Sequence, residues 1–217
     1  MSGNSKAAIA ELIGTFTLVF IGAGAGAIAS AGGGLLGVAL AHGFALVVIV
    51  YTWGSISGAH VNPAVTFGVA ITGRMDWGKA VVYWIAQLAG AAIASYLLLF
   101  LLGPDTTLGQ TTGSLTIESP VKTVLIEAVL TFFLVTAVYG SAVAGRNGNA
   151  VGIAIGLVLT MDILMGGPLT GASMNPARTF GPALAMGNLS YLWMYFAGPM
   201  LGGGLAGLVY NSLFLER

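Results

Sequence analysis

The chain has 217 residues, 57% of them hydrophobic and only 6% charged, with a mean hydropathy of +0.94. Ordinary soluble domains carry roughly 25% charged residues, so a water-soluble globule of this size is excluded. Its formal net charge of zero gives no basis for binding nucleic acid, and the absence of cysteine excludes disulfides and thiol chemistry.

Asp, Glu, Lys and Arg are all missing from Leu12 to Gly73, from Ala80 to Pro104 and from Thr179 to Leu215. A helix that crosses a bilayer needs about 20 apolar residues. Six segments provide them: 7–29, 35–55, 79–103, 121–143, 149–167 and 190–213. The first begins near Ala7 and passes Ile28, too long for a signal-peptide core, so no separate cleaved leader is expected. A shorter apolar piece, Pro63–Thr72, follows the second span, and its counterpart, Pro176–Met186, follows the fifth. Each corresponds to roughly 15 Å of helix, about half a bilayer. Each is preceded by Asn, a preferred helix cap, and opens on Pro, which suits a first helical turn. Both therefore read as half-helices buried at membrane depth. The irregular backbone leading into them is tolerated there only when protein buries it or when it lines a wet cavity.

The two half-helices belong to a repeat. Ile56-Ser-Gly-Ala-His-Val-Asn-Pro-Ala-Val-Thr-Phe-Gly68 returns 113 residues later as Leu169-Thr-Gly-Ala-Ser-Met-Asn-Pro-Ala-Arg-Thr-Phe-Gly181. Glu11 and Glu127 extend the match, each lying early in the first span of its half. The reading is one channel domain over 1–217, with repeats 1–104 and 121–217 joined by a polar loop at 105–120. Three spans per half is an odd number, so the second repeat is inverted. The half-helices then enter from opposite faces and meet N-terminus to N-terminus. The positive-inside bias places both termini in the cytoplasm, with Lys6, Arg74, Lys79, Arg146 and Arg217 inside and Lys122 and Arg178 outside. Glycine pairs four apart, Gly22/Gly26, Gly198/Gly202 and Gly203/Gly207, predict close helix contacts.

At the two helix starts, Asn62 and Asn175 carry amides that can donate to a solute oxygen. Each helix end bears roughly +0.5 charge. For a cation about 5 Å away, at an effective dielectric near 20, each end contributes roughly 1.7 kcal/mol of repulsion. Neutral water pays no such penalty. Arg178 stands where the first repeat has Val65. An arginine in so apolar a setting is a candidate for a pore-facing role, with a structural ion pair as the alternative. His42, in the second span, is either a pore group or a satisfied core histidine. His60, two residues before Asn62, reads as a loop brace or pore-mouth group. Asp162, in the fifth span, is read equally well as a pore residue or as an internal hydrogen-bonding group.

The paired Asn-Pro-Ala boxes (Asn62, Pro63, Ala64 and Asn175, Pro176, Ala177), the Ser57-Gly-Ala-His60 approach and the run Gly166–Ala183 resemble the aquaporin family of major intrinsic proteins over nearly the whole chain. The resemblance implies an all-α membrane fold, with six transmembrane helices and two half-helices in an inverted repeat, and a homotetramer with one pore per subunit. It also implies an outer constriction of His42, Ile163, Ala172 and Arg178, a set similar to that of plant vacuolar (tonoplast) members. Glu11, Glu127 and His60 would support the boxes. Glycerol facilitators typically have Asp where this chain has Thr179, and often Pro-Leu at Tyr195-Phe196. The loop Gly103–Ser119 contains no histidine. The expected function is passive passage of water through the lipid bilayer, excluding protons and ions, with ammonia and other small neutral solutes left open. A glycerol or urea facilitator is the alternative, and an ion-coupled secondary transporter the more distant one. No nucleophile–base pair or metal-ligand cluster is visible in the sequence, so neither catalysis nor a cofactor or metal is expected. Short tails without targeting extensions point to a prokaryotic cell membrane.

Overall fold

A computed structural model describes residues 3–31 and 33–215; Met1, Ser2, Gly32, Glu216 and Arg217, including the last of the expected cytoplasmic charges, lie outside the described residues. Among the described residues, six helices are long and apolar enough to cross a membrane. In chain order the helices are α1 (Gly3–Ala27), α2 (Gly34–Ser57), α3 (Pro63–Ile71), α4 (Trp77–Leu102), α5 (Ser114–Glu118), α6 (Pro120–Val138), α7 (Val151–Thr170), α8 (Pro176–Ala185) and α9 (Leu192–Leu213). A π turn, Tyr139–Val143, extends α6 to the expected length of its span, closed by Ala144 N donating to Tyr139 O at 2.8 Å.

The two expected half-helices are α3, with nine residues, and α8, with ten. Each opens on Pro behind an extended Asn whose side chain accepts from a first-turn N–H. The spans fall within a few residues of the sequence reading, with two instructive differences. Expected to end at 167, α7 runs on through Pro168 to Thr170, where left-handed Gly171 caps it by donating to Gly167 O. Expected to be loop throughout, 105–120 contains the single turn α5, held by Gly113 N donating to Thr116 Oγ1 at 3.0 Å. Propensity across so short a segment is too weak to announce a single turn.

Packing follows the repeat. In each half the first span lies against the third, α1 on α4 and α6 on α9, and also against the second, α1 on α2 and α6 on α7. The half-helices cross over: α3 packs on α9 and α8 on α4. Glycine makes these contacts possible. A Cβ on Gly203 would come within 2.7 Å of Ala64 O, and one on Gly68 equally near Gly203 O. Large apolar side chains such as Phe44, Ile85 and Phe100 face outward, as lipid-facing spans require.

Candidate pore and its supports

Two carboxylates shape the backbone that carries the boxes. Glu11 Oε1 accepts from Ser57 Oγ at 2.7 Å and His60 N at 2.9 Å, and Oε2 from Val61 N at 2.6 Å. Glu127 repeats the pattern: Oε1 accepts from Thr170 Oγ1 at 2.7 Å and Ser173 N at 2.9 Å, and Oε2 from Met174 N at 2.7 Å. Both glutamates are fully buried. The bonds hold a costly backbone, because Ala59 and Val61, and likewise Ala172 and Met174, have positive φ of 43–52° without being glycine. Gln87, the one amide side chain of α4, adds a bond from Nε2 to Glu11 Oε2 at 2.7 Å and another to Thr66 at 3.0 Å. His60 Nδ1 lies 3.1 Å from Thr66 Oγ1. Its repeat partner Ser173 makes the matching contact to Thr179 Oγ1. His60 thus braces its loop and also lines the cavity below it.

The boxes then lock on each other. Asn62 Nδ2 donates to Met174 O at 2.8 Å, and Asn175 Nδ2 donates to Val61 O at 2.9 Å. Their Oδ1 atoms accept from Ala64 N, and from Ala177 N and Arg178 N. Each amide nitrogen carries two protons, so one stays available after the cross-box bond. Pro63, Ala64, Pro176 and Ala177 are buried in the first turns.

Two cavities meet at Arg178. One of about 460 Å³ opens toward the side on which α1 starts and α9 ends, and is lined by His42, His60, Asn62, Asn175 and Arg178. The other, of about 410 Å³, opens on the opposite side and is lined by Gly109, Ile163 and Arg178. The Arg178 guanidinium is buried between them, its Nη1 donating to Gly109 O at 2.7 Å and its Nε to His42 Nε2 at 3.3 Å. His42 Nδ1 lies 2.9 Å from Val38 O. Nε2 accepts and Nδ1 donates, so the network assigns the neutral Nδ1–H tautomer. Both ring nitrogens are therefore engaged by protein, so His42 is a satisfied histidine that also lines the cavity.

Of the four residues expected at the constriction, His42 and Arg178 are bonded and Ile163 sits just beyond them on the outer cavity. Ala172 lines neither cavity; it is buried beside Ile163 and Met174 in the apolar core. Asp162 also lies away from both cavities.

Two contributors, Gly109 and Gln87, escaped sequence reading, and Gly22 was read only as a helix-packing glycine. Gly109 supplies the carbonyl that holds Arg178; the signal was a fully buried Leu108 within a polar loop, next to a glycine, both with positive φ. Gln87 was signalled by its isolation in an apolar span. Gly22 leaves room for the His42 ring, because a Cβ there would lie 2.7 Å from His42 Cγ. Its partner Gly26 similarly abuts Gly109 Cα, at 3.2 Å.

Two opposed half-helices joined at their N-termini, with a cavity on either side of a buried arginine, define a polytopic membrane protein with a narrow axial passage. The Major intrinsic protein family model matches residues 1–210. The chain is 46% identical to Aquaporin TIP1-1 of Zea mays, over 99% of this chain and 89% of the relative. It is 43% identical to Aquaporin TIP2-1 of Arabidopsis thaliana, over 97% and 88% respectively. Among solved structures, an aquaglyceroporin from Plasmodium falciparum superposes with a TM-score of 0.87 at 24% identity, covering 97% of this chain and 96% of that one, a likeness of fold. The chain belongs to the major intrinsic protein family. These named relatives come from plants, so the expectation of a prokaryotic cell membrane gains no support from them.

Proposed function

We propose that this protein is a passive water channel that excludes protons and ions. The observation that carries the reading is the pair of half-helices whose capping asparagines, Asn62 and Asn175, meet beside a passage narrowed by Arg178. Two facing positive helix ends and a fixed guanidinium repel cations, while the spare amide protons of the asparagines serve a neutral solute oxygen. His42, Ile163 and Arg178 form the outer constriction. Ala172 lies behind this constriction, in the loop that Glu127 holds. Glu11, Glu127 and His60 keep the box loops in their strained conformation.

Ammonia and other small neutral solutes are a further cargo, favoured by the apolar wall that Ile163 offers opposite the arginine. A glycerol or urea facilitator is the second reading. The Arg178–His42 bond works against it, because it holds two large side chains across the passage. An ion-coupled carrier is supported less, since Asp162 lies off the pore. We assign repeats 1–104 and 121–217, joined by 105–120, to one channel domain, place the terminal side in the cytoplasm on the distribution of Lys and Arg, and assign a homotetramer of independent pores.

Stopped-flow light scattering of reconstituted vesicles tests the proposal. Osmotic shrinkage should accelerate in proportion to protein content, with ammonia, urea and glycerol measured beside water. A proton current at fixed voltage that scales with protein content would overturn the exclusion mechanism. Faster passage of glycerol than of water per channel would favour the facilitator. The detergent-corrected mass of the purified protein tests the tetramer.

A further inference from the structure

The connecting loop reaches α8 through two adjacent hydrogen bonds. In one, Arg178 Nη1 donates to Gly109 O at 2.7 Å; in the other, Thr111 Oγ1 donates to Thr179 Oγ1, also at 2.7 Å. Among the described residues no other hydrogen bond joins this loop to α8. Thr111, Thr179 and Ser173 are all buried. Their hydroxyls form a chain whose direction is set at its far end. Asn175 O can only accept, so Ser173 Oγ, 2.8 Å away, donates its one proton there. Thr179 must then donate to Ser173, which leaves its oxygen to accept from Thr111. The chain thus runs from the loop to the backbone of the second box. The first half is completed differently: Thr66, the image of Thr179, takes a donor from Gln87 Nε2 on α4, a span of its own repeat.

The carbonyl that holds Arg178 belongs to a turn. Gln110 N donates to Thr107 O at 3.0 Å. The N–H and C=O of one peptide point opposite ways, so this bond aims Gly109 O away from Thr107. Leu108 anchors the turn by burial beside Ala23 and Ala177. A Cβ on Gly109 would lie 2.1 Å from Ala23 O, so the turn cannot settle closer to α1. Such packing limits approach but is non-directional, and it leaves the turn free to tilt across the start of α8. The Thr111 bond is directional. It falls two residues beyond the carbonyl on the loop and one residue beyond Arg178 on the half-helix.

We infer that Thr111 is a positioning residue of the constriction: its hydroxyl, through Thr179, fixes the loop turn so that Gly109 O holds the Arg178 guanidinium across the passage. The inference rests on the reading of Arg178 as the filter of a water channel. Thr111→Val keeps the side-chain shape and removes the donor. In reconstituted vesicles its urea-to-water permeability ratio should rise roughly two- to tenfold, the range that one ordinary hydrogen bond supplies. Thr111→Ser restores a hydroxyl and should return the ratio to that of the parent. Thr179→Val breaks the same bond from the other side and should also raise the ratio, so it carries the test if Thr111→Val does not fold. In an Arg178→Val background, Thr111→Val should add nothing, because the side chain it positions is gone; a general loosening of the fold would add its leak in both backgrounds. Hydrogen–deuterium exchange over 105–113 should be faster in Thr111→Val than in the parent or in Thr111→Ser, and it reports on the loop whether or not the channel reading holds. A parent that passes no more water than empty vesicles refutes that reading, whereas equal exchange in parent and Thr111→Val refutes the positioning. An unchanged urea-to-water ratio in folded Thr111→Val overturns the inference, as does an equal rise with and without Arg178.

Discussion

Gly22→Ala adds one methyl group behind His42. At Gly22 the ideal Cβ falls 2.7 Å from His42 Cγ, with ring atoms closer still, against about 3.5–4.0 Å for ordinary carbon contact. The ring must yield by roughly 1 Å. It cannot retreat into α1, so it moves toward the cavity it lines. Its bond to Arg178 Nε, 3.3 Å long, is disturbed by such a shift. Overpacking of this kind costs about 1–3 kcal/mol. If that strain appears wholly in the barrier to permeation, water flow falls roughly 5- to 150-fold. Stopped-flow permeability, normalised to inserted protein, measures the effect, and a reduction of several-fold is expected because part of the strain relaxes. The double variant Gly22→Ala/His42→Ala removes the clash and should return flow to that of His42→Ala alone, a coupling that a general loss of stability would not produce. Unchanged water flow in correctly inserted Gly22→Ala would refute the claim that this glycine sets the position of His42.

Arg178→Val, which installs the residue found at the equivalent Val65, removes the bonds to Gly109 and His42 and the fixed charge. Water flow should be retained and a leak of urea or cations gained in vesicle flux assays; unchanged selectivity in a folded variant removes Arg178 from the filter. His42→Phe removes the acceptor of Arg178 Nε and should change the ammonia-to-water flux ratio in vesicles at pH values across about 5 to 8. An identical ratio throughout makes His42 a packing residue. Glu127→Gln keeps one oxygen but sets an NH₂ group against a backbone N–H. It removes a charge-assisted hydrogen bond of about 1.5–3 kcal/mol, and both the melting temperature and water flow should fall. If neither changes, Glu127 is not what holds the loop.

The features legible in the sequence were those that local chemistry or duplication announces. Asn followed by Pro writes a helix start on its own, and the matching glutamates were visible because each occupies the same place in its half. Gly22, Gly109 and the depth of Ala172 were not legible, because each matters through a partner distant in the chain: His42 on α2, Arg178 on α8, and the α7 core. The glycine spacing correctly predicted close approach, but at Gly22 what approaches is a side chain rather than a second helix. Asp162 was left between pore and interior because periodicity does not distinguish faces on a span that is apolar all round; it is buried and off both pore cavities.

The repeat also accounts for why the proposed constriction lies on one side. The 113-residue offset carries His42, Ile163, Ala172 and Arg178 onto Ile155, Val50, Ala59 and Val65. These four image residues all line the larger cavity on the terminal side, and all are apolar. The scaffold is therefore two-fold, with equivalent glutamates, loops and half-helices, while the polar constriction is built once. Val65 is too short to cross the passage and has no guanidinium to be held, so its side of the channel stays open as a vestibule. At the image position, Arg178 reaches both His42 and a carbonyl of the connecting loop, Gly109, which belongs to neither repeat. That carbonyl has no counterpart in the other half, where the boxes are followed by no comparable connection. An arginine placed at position 65 would meet Ile155 in place of an imidazole acceptor. The selectivity proposed here is thus one-sided, with three unduplicated residues, His42, Gly109 and Arg178, mounted on a duplicated frame.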